Sequence, residues 1–234
     1  MNIKTIETIH IGNRIGYYYD SLKDLKNRVK YKIKTNVILP ARTEMIGKIY
    51  EEYSNFLPLK DKLLIDIGAQ YADYSIIANK IYGAKVVAFE PLMVNYEKAI
   101  KYIKLNKAVV NLIKNAISDR EYEEEMNWEG TMLKSVAGGI KKEIIVFHTL
   151  DSYKLQPDLL KIDVEGFEIS VLKGALKTIT EFKPRIIIET HSSDLEKHTK
   201  EILKSLGYIE PKEGRRINGI GFMDTVVNLF FKQS

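Results

Sequence analysis

The sequence has no cysteine and no long apolar run. The lack of cysteine excludes disulfides and thiolate metal sites, and it makes a cytoplasmic protein the expectation. The lack of apolar runs argues against a transmembrane helix, which needs roughly 20 consecutive apolar residues. The opening stretch MNIKTIETIHIGNR has neither a continuous apolar core nor a small-residue cleavage site, so no secretory signal is predicted.

Neither positive nor negative charge is in large excess. The 234 residues carry a formal net charge of +5, with a pI near 9.0. This balance permits an acidic partner without demanding one, because Lys and Glu are interspersed along most of the chain. Frequent Ile, Lys, Glu and Tyr without cysteine indicate a thermophilic source.

From Leu63 onward, short apolar strands alternate with helices. Strands are predicted at 63–68, 85–90, 109–116, 159–164, 185–190, 207–211 and 225–232. Helices are predicted at 74–82, 92–106, 168–182 and 194–207. This alternation predicts an α/β fold with a mostly parallel, doubly wound sheet and helices on both faces. The last strand follows a glycine-rich stretch, so it is predicted to insert antiparallel.

The chain divides into two parts by periodicity. Residues 1–60 are predicted to form a helical amino-terminal appendage, since apolar residues recur at helical spacing in ARTEMIGKIYEEYSNFL. Residues 61–234 are predicted to form the main domain. Within it, residues 119–143 follow no strong period, and we expect a hairpin or a variable excursion over the sheet.

Open α/β sheets bind ligands outside the carboxyl ends of their strands. The first strand ends in LLIDIGAQYADYS, which places Asp66 and Gly68 there, and the second strand ends at Glu90. An acid at that spacing from the glycine turn is well placed to hydrogen-bond the hydroxyls of a ribose. The full G-x-G-x-x-G pattern is missing, which disfavours a pyrophosphate and therefore a nicotinamide dehydrogenase. A phosphate-free adenosine cofactor, S-adenosyl-L-methionine, fits better.

The predicted cofactor-binding residues lie at the ends of four strands. They are Asp66, Gly68, Ala69, Gln70, Tyr74, Ser75, Glu90, Pro91, Asn115, Ala116 and Asp163. Two of them have simpler interpretations. Gly68 alone is compatible with an ordinary strand-to-helix turn, and Glu90 with an acid that the dipole of the following helix favours. Their joint spacing on consecutive strands favours the cofactor site.

A second group of polar residues ends the fourth and fifth predicted strands of the alternating pattern. In LLKIDVEGFE, Asp163 and Glu165 leave an apolar run, and RIIIETH ends with Glu189 and His191. These four are the predicted catalytic residues, with Asp163 first, because a hydroxyl nucleophile gains from a base that removes its proton. Alternatively, the two acids cap a helix, or His191 is a surface or capping residue.

Metal binding is not assigned, although these carboxylates and His191 could instead hold Mg²⁺ or another cation.

Over about 63–210 the sequence resembles FkbM-type S-adenosylmethionine-dependent methyltransferases. The resemblance lies in the identity and order of the segments quoted above and of VVAFEP, NAISD, TLDSY and VLKGA. The resemblance implies a class I, Rossmann-like methyltransferase fold, with a seven-stranded sheet and a reversed final hairpin. It also implies O-methylation. Gln70 and Ala72 replace the Asn and second Gly of the family's first motif.

The predicted function is methylation of a hydroxyl on a sugar, lipid or small metabolite, that is, a small-molecule or glycan acceptor. The sequence lacks the Asn-Pro-Pro-aromatic motif of amino-group methyltransferases, which favours oxygen. Two alternatives remain. A ribose methyltransferase acting on RNA would explain the pI, although a nucleic acid partner is not favoured. A non-catalytic assembly module would explain Gln70 and Ala72.

Overall fold

The computed structural model describes residues 36–39, 56–129, 132–134, 141–220 and 223–233. The strands of this part are β1 (Leu63–Ile67), β2 (Lys85–Phe89), β3 (Val110–Ile113), β4 (Ala116–Ile117), β5 (Tyr122–Glu129), β6 (Met132–Lys134), β7 (Lys141–His148), β8 (Leu159–Ile162), β9 (Arg185–Thr190), β10 (Lys212–Ile220) and β11 (Met223–Phe231). The helices are α1 (Asp73–Tyr82), α2 (Met93–Asn106), α3 (Glu168–Gly174), α4 (Leu176–Phe182) and α5 (Ser193–Ser205), with a 3-10 turn at Leu150–Tyr153.

Seven strands form the main sheet in the order β10-β11-β9-β8-β1-β2-β3. The five strands from β9 to β3 are parallel to one another. β11 pairs antiparallel with β9, and β10 pairs antiparallel with β11. The predicted mostly parallel sheet and its antiparallel last strand are therefore confirmed.

Alternate residues of each strand face opposite sides of the sheet. Ile65 and Ile186 belong to an apolar cluster with Val171 and Leu203 from α3 and α5. Leu64 and Ile187 belong to a separate cluster that includes Ala78 of α1. Both faces are thus covered by helices, as predicted.

Three predicted elements differ in detail. The strand predicted at 207–211 is wrong, because Tyr208 makes only an isolated bridge to Gln233 and β10 begins at Lys212. The strand predicted at 109–116 is divided into β3 and β4, which belong to different sheets. The helix predicted at 168–182 is two helices that meet at Ala175, whose φ and ψ of −113° and 9° are not helical.

The predicted excursion forms most of a second sheet with four strands in the order β4-β7-β5-β6. Its β7 is a strand that the sequence reading did not identify. Met126, Ile145 and Phe147 pack against Leu92 and Phe167, which lie beyond the carboxyl ends of β2 and β8. The second sheet therefore lies beside the edge where a ligand is expected.

Most of the predicted amino-terminal appendage, including nearly all of the helix expected at 41–57, lies outside the described residues. Where that segment is described, Val37 and Leu39 are buried against α1 and α2. Asn106 of α2 accepts a 2.6 Å hydrogen bond from the backbone of Ile38. In the described ranges, no helix has both the length and the apolar character needed to cross a bilayer.

Candidate active site

The segment between β1 and α1, residues 68–72, forms a tight turn, here called the β1 turn. The backbone N–H groups of Gly68 and Ala69 both donate to the carbonyl of Phe89 at the end of β2, at 3.0 and 2.9 Å. Gly68 has φ of +81°, and a Cβ there would lie 1.8 Å from the carbonyl oxygen of Asp163. Because only glycine permits that approach, the β1 turn lies directly against the residue that follows β8.

Glu90 lies next to the β1 turn and is 4% exposed. Its Oε2 accepts a 2.8 Å hydrogen bond from the backbone of Gln70. Its Oε1 accepts from the backbone of Leu92 and from Asn95, so the carboxylate also holds the start of α2. Burial raises the pKa of Glu90 to about 7, although these hydrogen bonds oppose the shift. Within the described residues, Gln70 is the single hydrogen-bond donor to Oε2, which leaves capacity for a ligand hydroxyl.

Asp66 and Asp163 are joined by a buried lysine. Lys161, in the centre of β8, is 7% exposed, and its Nζ lies 3.2 Å from Asp66 Oδ1 and 3.5 Å from Asp163 Oδ2. The hydroxyl of Ser75 donates to the other oxygen of Asp66 at 2.7 Å. Burial alone would lower the pKa of Lys161, but the two aspartates raise it above its ordinary value, so the lysine stays charged.

The chain reverses immediately after Asp163. Glu165 and Gly166 have φ of +53° and +113°, and α3 begins two residues later. The N-cap of α3 is Phe167, which makes no side-chain capping bond. Asp163 and Glu165 therefore do not cap that helix, and the capping interpretation of these two acids is wrong.

Around His191, four acids form what we call the carboxylate–histidine cluster. Nδ1 lies 2.7 Å from Oε1 of the fully buried Glu168. Nε2 lies 3.2 Å from Glu165 Oε2, 3.4 Å from Glu189 Oε1 and 3.8 Å from Asp163 Oδ1. His191 is 6% exposed, and Ser192 caps α5 instead. His191 is thus neither a surface histidine nor a cap.

The charged groups of the cluster shift one another's pKa values. Burial opposes a charged His191, but hydrogen bonds to Glu168 and Glu189 and the other carboxylates raise its pKa to about 11. Burial and then the charge of Glu189 raise the pKa of Asp163 to about 7. Burial also raises the pKa of Glu165. Asp163 is therefore better suited than an imidazolium to accept a proton near neutral pH.

The structure brings most of the predicted residues together. Asp66, Gly68, Ala69, Gln70, Ser75, Glu90 and Pro91 lie at or beside the β1 turn, and the four predicted catalytic residues are grouped beyond β8 and β9. Asn115 follows β3 and donates to the Tyr153 hydroxyl at 2.8 Å.

Two other predicted cofactor-binding residues are buried. The Tyr74 ring packs in the apolar core with Leu64 and Ala78, and Ala116 pairs with Phe147 in the second sheet.

Sequence reasoning missed Lys161 and Glu168. Lys161 carried a usable signal, because a charged residue inside the apolar run LLKIDV must be paired if the strand is central. Glu168 carried none, since an acid in the first turn of a helix is common on its own account. Its role is visible only through its contact with His191, 23 residues away along the chain.

The parallel sheet with a reversed final hairpin and a glycine turn after the first strand define a class I methyltransferase fold. The chain belongs to the FkbM methyltransferase family, because the family model for the methyltransferase FkbM domain matches residues 66–210, more than half of its length.

Solved structures share the fold. A methyltransferase FkbM from Methylobacillus flagellatus KT has a TM-score of 0.54 at 20% identity, covering 75% of this chain and 45% of that one, so the match spans less than half of that protein. A precorrin-6y C5,15-methyltransferase from Geobacter metallireducens GS-15 has a TM-score of 0.54 at 15% identity, with 84% and 90% covered. No match was found among curated proteins.

Proposed function

We propose that the protein is an S-adenosylmethionine-dependent O-methyltransferase whose acceptor is a hydroxyl on a sugar, lipid or small metabolite. One observation carries this proposal. The β1 turn adjoins Glu90 on one side and, through Gly68, the Asp163 backbone on the other. A ribose-binding carboxylate and a group of candidate proton acceptors therefore flank the same turn.

The residues present fit S-adenosylmethionine. Glu90 Oε2 can accept a hydrogen bond from a ribose hydroxyl beside the β1 turn, and Gly68 lets that turn lie directly against the Asp163 backbone. Buried Asp66 beside the turn disfavours a pyrophosphate, which agrees with a cofactor of positive charge. When bound, S-adenosylmethionine supplies an electrophilic methyl group.

Asp163 is proposed to orient the acceptor hydroxyl and take its proton. Its side chain is 30% exposed, so an acceptor can reach it, whereas His191 and Lys161 are nearly enclosed. Lys161 holds one Asp163 oxygen at 3.5 Å, which fixes the carboxylate for the other oxygen to act. Positioning of the hydroxyl would contribute much of the acceleration, because methyl transfer is an in-line displacement.

The proposal is tested first by cofactor binding. Glu90→Ala should weaken S-adenosylmethionine binding by about 1.5–3 kcal/mol in titration calorimetry, because it removes charge-assisted hydrogen bonds. Glu97→Ala, on the exposed side of α2, is the matched control and should bind as the wild type does. Unchanged affinity in Glu90→Ala would show that Glu90 does not bind the cofactor. If the wild type does not bind S-adenosylmethionine at all, the non-catalytic assembly module becomes the favoured alternative.

The pH dependence of binding offers an independent check. Since the pKa of Glu90 is raised to about 7, protonation removes the negative charge of the carboxylate, and with it the charge-assisted hydrogen bonds to ribose, as pH falls through that value. Wild-type affinity should therefore be lower at pH 6 than at pH 8. Glu90→Gln should bind weakly at both pH values and lose that part of the dependence. An identical pH profile in the two proteins would contradict the assignment.

A further inference from the structure

We infer that Asp163, Glu189 and His191 bind a divalent metal cation. One atom from each residue, a carboxylate oxygen or an imidazole nitrogen, lies within 4.8 Å of the others. The three residues follow or end β8 and β9, which are hydrogen-bonded neighbours in the sheet. Ligands carried by adjacent strands of a rigid sheet are held in place before the ion arrives.

His191 is oriented as metal-binding histidines usually are. Its Nδ1 is bonded at 2.7 Å to Glu168, which is fully buried and also accepts from the backbone of Gly166 at 3.0 Å. A proton held on Nδ1 by a carboxylate leaves Nε2 directed at Asp163, Glu165 and Glu189. This carboxylate–histidine–metal arrangement sets the tautomer and raises the basicity of the ligating nitrogen.

The carboxylates are also directed toward His191 Nε2. Asn228 donates to Glu189 Oε2 at 2.8 Å, while Oε1 lies 3.4 Å from Nε2. Glu165 Oε2 lies 3.2 Å from Nε2, is buried and accepts no hydrogen bond from the part of the chain that the structure describes. Among the described residues, Glu189 Oε1 and Glu165 Oε2 therefore face Nε2 without a hydrogen bond from any other donor.

Negative charge exceeds positive charge at this place. Among the described residues, two cationic side chains, Lys161 and His191, lie within 4 Å of carboxylates from five acids, which are Asp66, Asp163, Glu165, Glu168 and Glu189. A buried excess of this kind is costly unless the acids take up protons or a cation offsets the charge. Side chains of Asp163, Glu165 and Glu189 are 25–30% exposed, so an ion can enter from solvent.

One imidazole with two carboxylates suits a first-row divalent ion, and Mn²⁺ accepts both donor types. The role of the ion rests on the proposed function. The ion would bind the acceptor oxygen and lower the pKa of its hydroxyl. With the ion bound, Asp163 would be one of its ligands, and Glu165 would replace Asp163 as the acceptor of the O–H proton. The oxygen would form the bond to the methyl carbon, and the electrons of the broken sulfur–carbon bond would stay on sulfur.

The test is Mn²⁺ binding to chelator-treated full-length protein, followed by electron paramagnetic resonance of the free ion. The wild type should bind one Mn²⁺ per chain. Glu189→Gln and His191→Gln should each weaken binding at least tenfold, and Glu168→Gln by about 10–100-fold through loss of the outer hydrogen bond. The matched controls are Glu196→Gln and His198→Gln on α5, which should bind as the wild type does.

Circular dichroism and thermal melts identify any variant that does not fold. If His191→Gln is unfolded, Mn²⁺ binding by Glu189→Gln tests the proposal. This variant is expected to fold because an isosteric amide replaces a partly exposed carboxylate. Wild-type protein that binds no Mn²⁺, or binds it equally in the Glu189 variant, overturns the proposal. The positive charge among these carboxylates would then be that of the His191 imidazolium. Nitrogen-15 resonances would show both ring nitrogens protonated.

Cofactor calorimetry on the same samples keeps this proposal separate from the proposed function. S-Adenosylmethionine binding without Mn²⁺ binding overturns only the metal site. Mn²⁺ binding without cofactor binding supports the site and overturns the methyltransferase proposal.

Discussion

Asp163 is placed by its backbone as much as by its side chain. Its N–H donates to the carbonyl of Ile67 at 3.0 Å, and its own carbonyl occupies the space that a side chain at Gly68 would need. The residue is therefore held against the end of β1. Its carboxylate remains between the charged groups of Lys161 and His191.

Replacement of Asp163 by asparagine should separate chemistry from folding. Asp163→Asn keeps the shape of the side chain, and turnover should fall about 10²–10⁴-fold because the proton acceptor is lost. Cofactor affinity should change little. The assay needs an acceptor, which a screen of hydroxylated sugars, lipids and small metabolites with labelled cofactor would supply. Full turnover in this variant would transfer the role to Glu165 or His191.

Lys161 should matter more for stability than an exposed lysine in the same kind of pair. Lys161→Met leaves Asp66 and Asp163 without their buried cation, and such losses cost about 3 kcal/mol or more of unfolding free energy. Lys62, 57% exposed and 3.2 Å from Asp158, is the control. Lys62→Met should cost less than about 1 kcal/mol. Denaturant titration measures both, and equal losses would contradict the buried role of Lys161.

Among the helices, α3 shows how one element ties the two sheets together. It begins with Glu168, which contacts His191, and it ends with Gly174, which lies against the backbone of Ser118 just after β4. Position 174 has helical geometry, yet a Cβ there would lie 1.8 Å from the Ser118 carbonyl oxygen. The glycine of the segment VLKGA therefore serves close packing.

Gly174→Ala should consequently be destabilising, although alanine favours an unconstrained helix by about 1 kcal/mol over glycine. The methyl group would push α3 away from Ser118 and shift Glu168 relative to His191. The melting temperature should fall, and turnover should fall with it. Lys173→Ala, on the exposed neighbouring position, should leave both nearly unchanged. A higher melting temperature in Gly174→Ala would show that α3 does not pack as described.

The second sheet is tied to the main one by charge as well as by apolar packing. Glu143 on β7 accepts from the backbone of Met93 at 3.2 Å and pairs with Lys114 at 2.9 Å. These contacts hold the second sheet beside the carboxyl ends of β2 and β3. We propose that acceptor selection depends on this sheet, because it borders the site without supplying Asp163 or Glu90.

Across the whole molecule, the net charge and the local charge of the site have opposite signs. The chain carries +5 formally, whereas Asp163, Glu165 and Glu189 place negative charge at the exposed part of the site. An acidic surface repels a phosphate backbone. This local charge is the physical reason for favouring a small acceptor over a nucleic acid.

A short single-stranded RNA should therefore bind only weakly and should accept no methyl group. Fluorescence anisotropy measures RNA binding by the basic residues elsewhere on the chain. That binding should decline steeply as the salt concentration rises from about 50 to about 200 mM. Labelled-cofactor transfer to ribose provides the second readout. Tight binding accompanied by ribose methylation would restore the RNA alternative.

Much of the fold was determined by local patterns in the sequence. Strands such as LLIDI and RIIIET contain consecutive apolar residues because both faces of the parallel sheet are covered, and an acid lies near the carboxyl end of each of these two strands. Since parallel strands end at one edge, the acids that follow them could be assigned to a common site. Asp66, Glu90, Asp163, Glu189 and His191 were predicted in this way as residues of one site.

Only the tertiary structure decided how those residues are paired. Lys161 pairs with Asp66 on the neighbouring strand β1, and Glu168 meets His191 through packing of α3 beside β9, so neither contact has a local signature. Transfer of β4 to the second sheet depends on pairing with β7, which is distant in sequence. Strand and helix periods are set by neighbours along the chain, whereas these contacts are set by surfaces that meet only after folding.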